Sequence, residues 1–164
     1  MNPFKFLLSF VLCLNRLIYH RISVFYYICK ILIKIKPKNK LILIKRAIVH
    51  DLDKFRWRIL KYFVLNYWNL KQVSFNSDQY KRIMEELKPI ILLHYKKSRH
   101  HPEHFSNYNE MTEVDKLEMI ADWISASKLQ REGNIYSSIK INQERYHFSD
   151  EEKERLENIV KKLI

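Results

Sequence analysis

Apolar residues recur along this chain at helical rather than strand spacing. Residues 4–35 are apolar on most sides and read as one long helix or two shorter ones, largely buried. "KPKNK" at 36–40 is a loop with Pro37 as its breaker. Leu41–Trp68 reads as the next helix, bent near 55–60. The turn "SFNSD" at 74–78 offers Ser77 or Asp78 as N-cap for a helix through about Lys97, kinked or broken at Pro89. In the long connection that follows, Pro102 suits the first turn of a short helix, where its missing N–H costs nothing. Thr112 with Asp115 forms a capping-box pattern ahead of a helix over 113–130. Residues 131–148 look irregular, and Ser149 with Glu152 opens a last helix over 150–164. No internal repeat or low-complexity tract is visible. The pattern predicts one all-α domain over residues 1–164.

Composition supports that class and narrows the chemistry. The chain has one glycine, Gly133, and four prolines. A phosphate-cradling Walker loop or a dinucleotide-binding turn needs several glycines, so both are excluded. Few turn clusters also argue against a β-sandwich or barrel. Cys13 and Cys29 lie far apart, in no CxxC pattern, and read as reduced, buried thiols of a cytoplasmic protein.

Charge is unevenly placed. The net charge is +12. Residues 1–61 hold 14 Lys/Arg against 2 Asp, whereas residues 62–164 hold 16 of each sign. The basic segment suits nucleic acid, anionic lipid or a phosphorylated substrate, or solvated helix faces alone. The first residues resemble a short signal peptide, but no small-x-small cleavage site follows Phe6–Leu14. Lys5, Arg16, Arg21, Lys30 and Lys34 argue against a spanning helix and leave a peripheral membrane-surface helix as an alternative.

Candidate chemistry gathers in a few places. Four of the seven histidines, His94, His100, His101 and His104, fall within "HYKKSRHHPEHF". Imidazole is the commonest metal ligand, and helical spacing of i,i+3 and i,i+4 can align such side chains. His50–Asp51, in "RAIVHDLDKF", puts an imidazole and a carboxylate on one corner of a predicted helix. Lys54 follows Asp51 by three residues on the same face and can hold a phosphate or sit in water. In "LEMIADWISAS", Leu117, Ile120, Ala121 and Ile124 form a buried stripe, with Glu118, Asp122 and Ser125 beside it. A carboxylate there needs pairing, hydrogen bonds or a metal. His20 stands alone in an apolar helix.

The order His20, His50–Asp51, His94, His100–His101, Asp122 resembles the HD-domain superfamily of metal-dependent phosphohydrolases, and within it the two-metal members. "HDLDKF", "RHHPEHF" and "EMIADWISAS" together resemble a family of small uncharacterised bacterial and phage proteins, over about residues 15–130. That family commonly carries a serine where Asp53 stands. "HHPEH" partly resembles the cyclic-dinucleotide phosphodiesterase branch, but the glycine-rich segment of that branch is missing, so its substrate is not implied.

The resemblance implies a compact HD-domain-like helical bundle. His50, Asp51, Asp122 and His20 would hold a first metal. His94 and His101 would hold a second, with His100 or His104 as ligand or supporting partner. Asp51 would bridge the two. One or two divalent ions among Mn, Fe, Zn, Co and Ni suit such ligands. The implied activity is hydrolysis of a phosphate ester, a phosphomonoester or phosphodiester with nucleotides among the candidates, by a metal-activated water. Lys54 would neutralise phosphoryl charge, and Glu118 or His104 would orient the water or move a proton. Two alternatives remain: a di-iron oxygenase on the same ligands, and a non-enzymatic basic module for nucleic acid or anionic lipid.

Overall fold

The computed structural model describes residues 2–74 and 76–164, and every regular element among them is helical. The one strand-like feature there is an isolated bridge between Ser74 and Arg131. Phe75, in the predicted 74–78 turn, lies outside the described residues.

The first helix, α1 (Pro3–Lys34), is continuous over 32 residues. Asn2 accepts a hydrogen bond from the Phe4 N–H, which caps the helix start. Only one stripe of α1 is buried, from Ser9 and Cys13 through His20, Val24, Tyr27 and Ile28 to Ile31. The expected largely buried helix is therefore corrected. Its covering partner, α6 (Glu113–Leu129), takes one face and leaves Leu7, Val11, Ile22 and Phe25 exposed. By length and composition α1 also passes the test for a membrane-crossing helix, as core helices and signal sequences do.

The predicted Leu41–Trp68 helix is three helices: α2 (Lys40–Val49), α3 (Trp57–Leu65) and α4 (Tyr67–Gln72). Between α2 and α3 the chain makes a 3-10 turn over Leu52–Phe55. The apolar period runs across these breaks, so periodicity alone joins them. The break comes from Asp51, which adopts the left-handed conformation at φ 56° and turns the chain out of α2. Asp tolerates that region better than most residues, but the strain persists only where surroundings demand it. Arg21 of α1 donates to the Ile48 carbonyl and pins the end of α2.

Helix α5 (Asp78–Tyr95) starts at Ser77, whose hydroxyl accepts from the Tyr80 N–H. It runs through Pro89 without a break, because Pro89 is exposed and the helix bond it removes faces solvent. Pro102 opens a short 3-10 turn, as expected. Helix α6 begins with the predicted capping box of Thr112 and Asp115. Residues 131–148 are not irregular: α7 (Ile135–Tyr146) occupies most of them. Two of its four buried residues, Ser138 and Asn142, are polar, which hides the apolar stripe. Asn134 caps α7 by accepting from the Tyr136 and Ser137 N–H groups. Gly133, just before it, crosses the end of α6 so closely that a Cβ would sit 1.9 Å from the Ser127 carbonyl oxygen. The last helix is α8 (Asp150–Leu163).

Helix α6 is the centre of the bundle. Leu117, Met119, Ile120 and Ala121 are fully buried, packed with Val24, Ile28 and Ile31 of α1, Leu43 of α2, and Leu156 and Leu163 of α8. Burying a side chain of that size stabilises by about 1.5–3 kcal/mol. This packing fixes the one polar line of α6, Glu118–Asp122–Ser125, against α1 and α2.

Candidate metal centre

Five segments deliver the site. His20 comes from mid-α1, His50 and Asp51 from the end of α2, and His94 from the last turn of α5. His100 and His101 come from the connection after α5, and Glu118 and Asp122 from α6. His20, His50, Asp51, His94, His100, Glu118 and Asp122 are all buried, and His101 is half-buried.

They converge as two four-residue groups that share Asp51: His20, His50, Asp51 and Asp122, and Asp51, His94, His100 and His101. Within each, the candidate ligand atoms lie within 4.8 Å of one another, which suits donors around a single ion at about 2.0–2.2 Å. In the first group, His20 Nε2 lies 2.9 Å from Asp122 Oδ1 and 3.5 Å from Asp51 Oδ2. His50 Nε2 lies 3.4 and 3.6 Å from the same two atoms. In the second group, Asp51 Oδ1 lies 3.2 Å from His94 Nε2 and 3.5 Å from His100 Nε2. The Nε2 atoms of His94 and His101 are 2.8 Å apart. Asp51 thus turns one oxygen to each group. The HD pair is not two adjacent positions on a helix, as expected; the left-handed turn at Asp51 aims its carboxylate inward.

A second layer orients the imidazoles. Glu118 Oε1 is 2.9 Å from His50 Nδ1 and 3.2 Å from His100 Nδ1. Its Oε2 accepts from Arg46 at 2.5 Å, and Arg46 and Arg99 also bind Asp115. Burial works against the Glu118 charge, but bonds from His100 and His50 and the Arg46 guanidinium hold its carboxyl well below the usual range. An ionised carboxylate only accepts, so both Nδ1 atoms donate and both Nε2 atoms face the ligand groups. Asp53 does the same for His94, whose Nδ1 lies 2.9 Å from both of its oxygens.

The electrostatics are those of a site short of positive charge. Asp51 and Asp122 are held ionised against burial, Asp51 by His50 and Lys54 and Asp122 by His20 and His50. Burial disfavours an imidazolium at His50, yet the facing Asp51, with Asp122 and Glu118, pushes its pKa up to about 10. His101 goes the other way: burial and the neighbouring His100 and His94 hold it neutral. His50 Nε2, His100 Nε2 and Asp51 Oδ1 are buried with no hydrogen-bond partner among the described residues. Leaving one such group unsatisfied costs about 1–3 kcal/mol. Three such atoms, all on residues of the two ligand groups, are what a cation would satisfy, so the donor set fits a metal ion.

The remaining predicted residues separate. Lys54 joins the site, with its Nζ 2.6 Å from Asp51 Oδ2. Glu118 belongs to it as an orienting group. His104 does not: its Nδ1 lies 3.2 Å from the Tyr95 carbonyl, and it is in neither ligand group. Asp53, Arg46 and Asp115 were missed as site residues. Asp53 carried a signal, standing where the similar family has serine. Arg46 and Asp115 carried none, because their pairing crosses 69 positions of sequence.

Two cavities reach the centre. One of about 600 Å3 extends to His101 and Asp122, and a smaller one of about 230 Å3 is lined by His20, Lys54, His94 and His101. Among known proteins, no curated sequence and no solved structure matches the chain. A family model described as a family of unknown function, DUF5662, matches residues 11–162, a span that takes in every residue of both ligand groups. The chain, with its buried His/Asp centre, therefore belongs to the DUF5662 family.

Proposed function

We propose that this protein is a metal-dependent phosphohydrolase of the HD-domain type, in which the two groups that share Asp51 would hold one or two divalent ions. The observation that carries the reading is the pair of four-residue groups sharing Asp51, with three buried nitrogen and oxygen atoms left unpartnered between them. The order of those residues, His20, His50–Asp51, His94, His100–His101, Asp122, supports the HD assignment. Bound there, divalent ions such as Mn, Fe, Zn, Co or Ni acidify a water and neutralise phosphoryl charge.

The chain's own residues hold and orient. Asp51 offers one oxygen to each group, and Asp53 and Glu118 fix the imidazoles by their Nδ1 protons. Lys54, beside Asp51 and lining the smaller cavity, places a fixed cation where a phosphoryl oxygen would rest. Glu118 is occupied on both oxygens, so it positions rather than transfers a proton.

The test is metal analysis of the purified chain, then hydrolysis of p-nitrophenyl phosphate and bis-p-nitrophenyl phosphate with each candidate ion. Metal-dependent turnover that His50→Ala and Asp51→Ala abolish is expected. Protein that binds no transition metal, or hydrolyses neither ester when loaded, would sink the proposal. Five imidazoles around a bridging carboxylate also suit a di-iron oxygenase. Iron-dependent oxygen uptake without phosphatase activity would favour that second reading.

A further inference from the structure

Among the described residues, the lining of the smaller cavity beside the ligand groups holds no Asp or Glu. Its cations are Lys54 and Arg16, and most of the remaining wall is apolar or aromatic, with Phe63, Tyr67 and Tyr95 among it. Lys54 is already paired to Asp51. Among the described residues Arg16 has no carboxylate partner: its charged or ionisable neighbours are Tyr67, Cys13 and Tyr80. It stands four residues before His20 on α1, one helical turn away on the same face. Burial lowers its pKa, the mark of a cation removed from water without a counter-ion. Guanidinium is suited to a phosphate, which it can grip with two parallel N–H bonds.

We propose that Arg16 binds the anionic group of the substrate, and that the substrate is a phosphate ester of a compact, largely apolar or aromatic alcohol. The inference rests on the phosphohydrolase reading. In the step it serves, the P–O bond to the alcohol breaks. Water gives its oxygen to phosphorus and a proton to the departing alcohol, leaving inorganic phosphate. The apolar wall receives the alcohol, and the 600 Å3 cavity, which shares Tyr80, Tyr95 and His101 with the smaller one, gives passage to solvent.

The experiment compares wild type, Arg16→Gln and Arg16→Lys as metal-loaded full-length protein, with phenyl phosphate and glycerol 2-phosphate as substrates. Arg16→Gln is expected to raise KM for phenyl phosphate about tenfold or more, the scale of a lost charge-assisted bond, with kcat and metal content little changed. Arg16→Lys recovers part of the loss, which a purely structural role would not predict. If Arg16→Gln fails to fold, Arg16→Lys decides: a raised KM for phenyl phosphate with kcat and metal content little changed supports the assignment, and a KM equal to that of wild type in the folded, metal-loaded Lys variant overturns it. A KM unmoved by Arg16→Gln overturns it while leaving the phosphohydrolase reading intact. Equal KM for the two esters overturns the apolar alcohol. A chain without metal or turnover removes both readings.

A different observation concerns the outside of the molecule. The exposed face of α1 is an apolar stripe at helical spacing, Phe4, Leu8, Val11, Ile18, Ile22 and Phe25. On α2, which packs against α1, Leu41, Ile42, Ile48 and Val49 are exposed as well. A soluble monomer rarely leaves so much contiguous apolar surface uncovered. The same segment, residues 1–61, holds 14 Lys/Arg, and its two acids, Asp51 and Asp53, are both committed to the metal centre. Its outer surface therefore carries cations alone. Because the other face of α1 supplies His20 and Val24 to the interior, the helix cannot be surrounded by lipid while the site stays assembled. We infer that α1 and α2 lie flat on an anionic lipid bilayer, apolar side chains inserted and lysines at the headgroups.

Vesicle sedimentation tests it. Wild type is expected to pellet with phosphatidylcholine vesicles containing phosphatidylglycerol, and to do so less as salt rises. Val11→Glu with Ile22→Glu removes pelleting without changing metal content. Equal binding to neutral vesicles, a stable dimer in solution that covers the stripe, or binding to single-stranded DNA but not to vesicles each overturns the inference.

Discussion

Replacing Glu118 by Gln tests the geometry of the metal centre most directly. One carboxylate oxygen of Glu118 accepts from two imidazoles, His50 Nδ1 at 2.9 Å and His100 Nδ1 at 3.2 Å. Those two rings belong to different ligand groups. The amide keeps the size but loses the charge, and one of its ends donates, so it cannot accept strongly from both rings while holding Arg46. Removing one such orienting partner weakens metal binding about 10–100-fold, or roughly 1.4–2.8 kcal/mol. With both groups affected, the upper end is expected for whichever ion binds more tightly. Packing should survive, because Arg46 keeps Asp115 as a partner. The assay is competitive titration of zinc or manganese against a chelating dye, with circular dichroism as a check on folding. An affinity within about twofold of wild type in a folded variant would refute the orienting role, since it lies below that range.

Four further outcomes follow from the same contacts. Asp51→Asn should lower metal stoichiometry in both groups at once, whereas His104→Ala should leave it unchanged; elemental analysis of the two variants separates these. Metal affinity should rise with pH across the neutral range, because His50, with its pKa near 10 in the metal-free site, must shed a proton to bind an ion; calorimetry in two buffers measures the protons released. Stripping a saturating metal, at about 100 times its Kd, should cost about 2.7 kcal/mol and lower the melting temperature by about 5–10 °C. Asp115→Asn should cost about 1.5–3 kcal/mol in urea denaturation, because a buried carboxylate loses its charge-assisted bonds to the half-buried Arg46, which keeps Glu118, and to the exposed Arg99. Its carboxyl pKa is depressed despite burial, by Arg99, Arg46 and Thr112. Its stabilisation is therefore whole above the unfolded value of 3.8 and fades as pH falls through the lower folded value, so the variant should lose part of the acid-side slope.

Much of the fold could be read from local chemistry. The helix starts at Ser77, Thr112 and Ser149 are side-chain-to-backbone bonds within a few residues, so the sequence states them outright. The lone glycine excluded phosphate-cradling loops, and Gly133 serves close packing instead. The histidines and aspartates of the centre were legible by type and order. What periodicity blurred were the breaks at Asp51 and Asn66, where the apolar pattern continues through a turn, and α7, where Ser138 and Asn142 fill inward positions.

The sequence by itself determined that the chain is helical, where most helices begin, and which residues have metal-ligand chemistry. Only the tertiary structure decided how those residues divide. His100 is a buried member of the second group, whereas His104 lies outside both four-residue groups, although both stand within three positions of His101. Asp53 and Glu118 became orienting acceptors because α5 and α6 bring His94, His50 and His100 to them. The reason is that caps and helical periods act over a few residues, whereas a carboxylate that serves two imidazoles is defined by where whole helices pack. The same packing decided that one face of α1 holds His20 inside while the other presents its apolar stripe outward.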